Sequence, residues 1–177
     1  MQAADIDERA SALYGVVDWR RAAGLIHVAA IHGPSNRILA IGPASPPSPI
    51  DRFVLGLARA RSDVLITTGG ILRAEPDLVP RYAEEAGAEA AFAEWRRRTL
   101  ERASPPRLLV LSATGRFPAD HPALQAGTGW IWTSAEGARR MGRPPIGFEV
   151  VEAEAGRTSA RDAVRWLGPR LAAPGDR

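Results

Sequence analysis

The sequence predicts an α/β domain of three layers, with helices on both faces of a mostly parallel central sheet. Short apolar runs of strand length recur along the chain, and most are continuously apolar rather than alternating, as strands covered on both faces are. Segments long enough for a helical crossover separate them, several carrying a one-sided apolar stripe and a recognisable start signal. No internal repeat, low-complexity tract or second-domain boundary interrupts the pattern, so residues 1–177 are expected to form one domain.

The elements follow in order. Residues 1–20 are expected to be an N-terminal extension or helix, with Ala10, Leu13, Tyr14 and Val17 apolar at helical spacing. Residues 25–31 (Leu-Ile-His-Val-Ala-Ala-Ile) predict a buried strand entering a turn at His32-Gly33-Pro34. A loop rich in Gly, Pro and Ser leads to a helix start in which Ser48 caps, Pro49 takes the first position and Asp51 completes a capping box. Its core stripe is Ile50, Phe53, Val54 and Leu57.

Residues 63–68 predict the second strand, running into Gly69-Gly70, and residues 80–102 a long helix with Ala88, Ala91, Phe92 and Trp95 on its apolar face. Glutamates come early in that helix and Arg96-Arg97-Arg98 late, an order that complements the helix dipole and predicts a solvated last turn. Pro105-Pro106 breaks the chain before strands expected at 108–111, 130–133 and 148–151. A last helix starts at Ser159, with Asp162 three residues on, and is expected to bury Ala160, Val164, Leu167 and Leu171.

Composition excludes several classes. There is no cysteine, which removes disulfides, thiolate nucleophiles and Cys-ligated zinc. No run approaches the ~20 apolar residues of a membrane span, and the acidic N-terminus is no secretory signal. The expected place is the cytoplasm. The pI of about 10.4 arises because all 23 basic residues are arginines; the net charge is only +3, and the arginines are scattered among 20 acids. A nucleic-acid partner is therefore not expected.

Chemistry is expected in the loops beyond the carboxyl ends of the strands. After the strand at 63–68, Gly69 and Gly70 allow close backbone approach and Arg73 offers a guanidinium for phosphate or carboxylate. The same residues also make a tight turn with a surface arginine. Ser112-Ala113-Thr114-Gly115-Arg116 follows the next strand, and Thr133-Ser134 the one after, where Ser134 is also a simple N-cap. The histidines His27, His32 and His121 have no metal-ligand spacing, so no metal is expected; no Walker A, dinucleotide glycine fingerprint or hydrolase elbow is present. His121, in Asp120-His121-Pro122, belongs to a turn. Hydride transfer from a bound nicotinamide suits such a chain, because the cofactor carries the chemistry.

Several of these segments resemble one family. The step Ala60-Arg61-Ser62-Asp63-Val64-Leu65, the segment Thr68-Gly69-Gly70-Ile71-Leu72-Arg73-Ala74-Glu75-Pro76-Asp77-Leu78 with Arg81 trailing, the strand and loop Leu109 to Pro118, and Trp132-Thr133-Ser134 are similar to the reductase domain of bifunctional riboflavin-biosynthesis deaminase-reductases, dihydrofolate-reductase-like pyrimidine reductases. The resemblance runs from about Val28 to Leu171. It implies a dihydrofolate-reductase-like fold and NADPH-dependent reduction of a ribosylamino-pyrimidine or similar heterocycle. It implies substrate contacts at Arg73, Glu75 and Arg81, cofactor contacts at Gly69, Gly70, Ser112, Thr114, Thr133 and Ser134, and a homodimer. The sequence departs from the family at Ala30-Ile31-His32-Gly33, which lacks its serine and aspartate, and at Ile71, where it has a threonine. The family's closing strand, ending in Glu-Gly-Gly, is expected to be missing after residue 177. A non-catalytic ligand-binding or interaction protein on the same scaffold is the alternative.

Overall fold

The computed structural model describes residues 1–20, 48–155 and 157–172, which fall into two compact units. The strand expected at 25–31 and the turn after it lie outside the described residues.

The sheet unit comprises residues 62–80 and 105 onward. It holds four strands, β1 (Val64–Thr68), β2 (Arg107–Leu111), β3 (Gly129–Thr133) and β4 (Phe148–Glu152), in the order β1-β2-β3-β4. All neighbours are parallel, with Leu65 opposite Leu108, Val110 opposite Ile131 and Trp132 opposite Val151. The helices of this unit are α3 (Gly69–Ala74), α5 (Pro122–Gln125), α6 (Ala135–Met141) and α7 (Ala160–Ala172). When every crossover has the same hand and steps the same way, the connecting helices share one face. Leu72 of α3, Ala123 and Leu124 of α5 and Met141 of α6 accordingly pack on Leu108, Val110, Ile131 and Phe148. Ala163 and Leu167 of α7 cover the other face, over Leu109, Trp130 and Trp132. The result is the expected three-layer α/β/α arrangement, with apolar residues on both faces of the two central strands.

The helical unit comprises residues up to 61 and 81–104. It contains α1 (Ala3–Tyr14), α2 (Pro49–Arg61) and α4 (Ala86–Thr99). Phe53, Leu57, Phe92 and Trp95 form its core with Ile6 and Ala10 of α1. The Trp95 indole N–H donates to Asp7 at 2.6 Å, joining α4 to α1. Burial pushes the Tyr82 phenol above its usual pKa; Arg96 opposes the rise and Glu89 adds to it.

Several local expectations need correction. The Ser48 cap forms as expected, its hydroxyl accepting from Asp51 N at 3.1 Å, but Ile50, in the first turn and in line with Phe53 and Leu57, is exposed rather than part of the core. The long helix begins at Ala86 rather than at residue 80. The Glu89 carboxylate accepts from Ala83 N at 2.8 Å and holds that stretch outside the helix. In α1 the buried residues are Ile6 and Ala10, while Leu13 and Tyr14 are exposed. In α7 Ala163 is buried instead of Ala160, and Val164 and Leu171 are half-buried.

Arg96 departs most from expectation. It is only 4% exposed, its guanidinium donating to the carbonyls of Ala60 and Ser104, both at 2.7 Å. Arg97 and Arg98 are the solvated pair, and both reach Glu94. Among the described residues no helix is long and apolar enough to cross a membrane.

Candidate functional site at the carboxyl end of the sheet

The loops after β1, β2 and β3 meet at the carboxyl end of the parallel strands, and glycines let them meet closely. After β1, Gly69-Gly70 do not form a turn; they open α3. The Thr68 hydroxyl accepts from Ile71 N at 3.2 Å, and this cap offsets the poor helix propensity of the two glycines. Gly69 faces the β2 loop, and a Cβ there would lie 2.8 Å from Ser112 Oγ. Gly70 differs. It is exposed, and a Cβ on it would meet nothing nearer than Thr68 Oγ1 at 3.5 Å, so the backbone is open to approach from outside.

The loop after β2 is fixed from both sides. Ser112 is buried, donates its N–H to Trp132 O at 3.0 Å and accepts from Gly115 N at 3.1 Å. On one side, the Arg73 guanidinium of α3 donates to the Arg116 carbonyl. On the other, the Ala113 carbonyl accepts from Ser134 Oγ at 2.7 Å, Ser134 N at 3.3 Å and Thr133 Oγ1 at 3.4 Å. Ser134 Oγ also accepts from Gly137 N at 3.0 Å and so caps α6. Gly115 has φ +63°, and its Cα lies so close to the Gly137 carbonyl that a Cβ would overlap it.

This geometry sorts the sequence-selected residues. Gly69, Ser112, Thr133 and Ser134 hold the loops to one another, and Thr133 is 0% exposed. Gly70, Arg73, Glu75, Thr114 and Arg116 are exposed instead. The side chains of Glu75 and Arg116 and the hydroxyl of Thr114 have no partner among the described residues. Arg81 belongs to the helical unit, where its carbonyl accepts from Arg59 at 2.7 Å.

His121, read from the sequence as a turn residue, has a definite task. It is 2% exposed; its Nδ1 accepts from Ala123 N at 3.1 Å and its Nε2 lies 2.9 Å from the Glu75 carbonyl. An accepting Nδ1 leaves Nε2 to donate, so both bonds form on the neutral ring. His121 therefore caps α5 and fixes the backbone of the loop that carries Glu75. The signal was Pro122, which suits the first helical position and leaves the residue before it as the cap.

The described residues contain no cluster of three or more histidine, aspartate or glutamate side chains placed to hold a metal ion. No protein-family model matches the chain, and no curated protein sequence does either.

Proposed function

We propose that the open side of these loops binds the phosphate-bearing part of a nicotinamide dinucleotide, and that the chain is an NADPH-dependent reductase of a ribosylamino-pyrimidine or similar heterocycle, as its sequence resemblance implies. The observation that carries the reading is the placement of the open Gly70 backbone, the Thr114 hydroxyl and the unpartnered Arg116 guanidinium on two interlocked segments at the carboxyl end of a parallel sheet. These groups fit a phosphate: glycine for close approach, a hydroxyl to donate and a fork for bidentate contact.

In this reading Gly70, Thr114 and Arg116 bind, Arg73 keeps the β2 loop in place, and the Glu75 carboxylate holds a polar group of the substrate. Bound nicotinamide supplies the hydride, while the chain contributes position and charge. The unpaired outer edges of β1 and β4 among the described residues fit association into a homodimer, and the same reading puts the protein in the cytoplasm.

One observation favours the alternative of a non-catalytic ligand-binding protein. At Ile71, where the resemblance would have threonine, the side chain is apolar and 40% exposed, and its N–H is taken by Thr68. Titration with NADPH, read by tryptophan fluorescence, tests binding. Arg116→Ala is expected to weaken NADPH binding by roughly tenfold to a hundredfold, the range for losing a hydrogen bond to a charged group. Unchanged affinity in the variant would refute the site. NADPH binding without oxidation of the cofactor in the presence of ribosylamino-pyrimidines would select the non-catalytic reading.

A further inference from the structure

Most carbonyls of the loop after β2 are already hydrogen-bonded within the chain. Ser112 O accepts from Gly115 N at 3.1 Å, Ala113 O from the side chains of Thr133 and Ser134, and Arg116 O from Arg73. The Thr114 carbonyl accepts from the Arg140 guanidinium of α6 at 3.1 Å and has no other donor among the described residues. The N–H groups of Ala113, Thr114 and Arg116, by contrast, have no acceptor among the described residues. A loop whose carbonyls are occupied and whose N–H groups are free suits an anion.

Arg140 is itself held in place. Its guanidinium also donates to Glu136, one turn earlier in α6, at 2.6 Å, and its side chain is 38% exposed. An ion pair of this kind adds little to stability. It does restrict the positions from which the guanidinium reaches the loop.

The peptide unit between Thr114 and Gly115 is thereby fixed at both ends. Its N–H donates to Ser112 O and its carbonyl accepts from Arg140. Gly115, at φ +63°, has no side chain to resist rotation of that unit. Without Arg140 the carbonyl end is held by nothing among the described residues. Rotation would then turn an oxygen, rather than N–H groups, towards a bound phosphate.

We infer that Arg140 is a positioning residue for the dinucleotide site, acting through the Thr114 carbonyl and not by touching the ligand. It keeps the loop in the form that offers its N–H groups, the Thr114 hydroxyl and the Arg116 guanidinium to a phosphate. This role rests on the dinucleotide reading of the site. Arg139, exposed and without a partner among the described residues, carries the same charge one residue earlier and is the control.

NADPH titration of the full chain, read by tryptophan fluorescence, tests the role. Arg140→Ala is expected to weaken NADPH binding by about three- to tenfold, the effect of one ordinary hydrogen bond. Its unfolding midpoint in urea should stay close to that of the native chain, as for other exposed substitutions. Arg139→Ala is expected to bind NADPH as the native chain does. Raising salt from about 0.1 M to about 0.5 M should weaken binding in all three proteins while leaving the ratio between Arg140→Ala and the native chain unchanged. A bond to a neutral carbonyl is not screened as a direct contact between charge and phosphate is. Unchanged affinity in Arg140→Ala, an equal loss in Arg139→Ala, or a loss that vanishes at high salt overturns the positioning role and leaves the dinucleotide reading standing. An Arg140→Ala variant that does not fold overturns the role too, since the residue would then support the fold as a whole. No NADPH binding by the native chain overturns the dinucleotide reading and the role together.

Discussion

Arg96 and His121 are buried polar side chains that each reach backbone carbonyls, Arg96 those of Ala60 and Ser104 and His121 that of Glu75. An arginine in a run of three at a helix end reads as solvated, and that holds for Arg97 and Arg98. Arg96 instead turns inward to satisfy the carbonyls of Ala60, in the last turn of α2, and Ser104. Replacing it by methionine, similar in length but without donors, removes the donor from both carbonyls and leaves that of Ala60 buried and unmet. Arg96→Met is expected to cost about 2–5 kcal/mol, the range for breaking a buried charged network, measured by urea unfolding; a loss within a few tenths of a kcal/mol would show that water replaces the guanidinium. The sequence offered no sign of this, because the partners are backbone atoms, whose positions residue types do not reveal, and one of them lies 36 residues away. His121 was more legible. Pro122 marks the helix start, and of the two bonds of His121 only the one to the Glu75 carbonyl depends on the tertiary fold.

Elements were legible where their periodicity or punctuation was strong. All four described strands stand within one or two residues of the apolar runs that predict them, and the Ser48 and Ser159 helix starts form as their residues suggest. The boundary of α4 was misread because Pro80 looks like a first helical residue, while the Glu89 carboxylate holds Ala83 in an irregular approach instead. In the candidate site, the sequence identified loops with hydroxyls and glycines but not their division of labour. Whether a serine faces a ligand or a neighbouring loop is decided by which carbonyl lies within reach, and Ala113 O supplies that answer for Thr133 and Ser134. The contact between the β2 loop and α6 is also tight enough to test. A Cβ on Gly137 would overlap Thr133 Oγ1 and come within 2.6 Å of Ala113 O. Gly137→Ala is therefore expected to destabilise the chain by about 1–3 kcal/mol in chemical denaturation, as overpacking does. It should also weaken NADPH binding at the site proposed for Thr114 and Arg116, because it displaces the loop that carries them. An alanine variant as stable as the native chain would show that the two loops can separate freely.

At the scale of the molecule, the α/β class was readable because continuous apolar runs separated by crossovers admit few arrangements, whereas the strand order was not, since each strand alone fits beside any other. The order β1-β2-β3-β4 combines neighbours of very different sequence separation. β2, β3 and β4 follow one another through short crossovers containing α5 and α6, but the path from β1 to β2 runs through α3 and then through α4 in the other unit. Closing that longer loop costs more chain entropy before any pairing rewards it. In pulse-labelled hydrogen exchange during refolding, amides of the β2–β3–β4 ladder are therefore expected to gain protection before those that join β1 to β2; simultaneous protection of all four strands would refute this order. The same asymmetry bears on biosynthesis. β1 leaves the ribosome well before its only described partner, and at about 5–20 residues per second the nascent Val64-Leu65-Ile66 run waits for seconds with its backbone unpaired. Arg61 and Asp63, charged residues just ahead of that run, are placed to discourage premature association with other nascent chains.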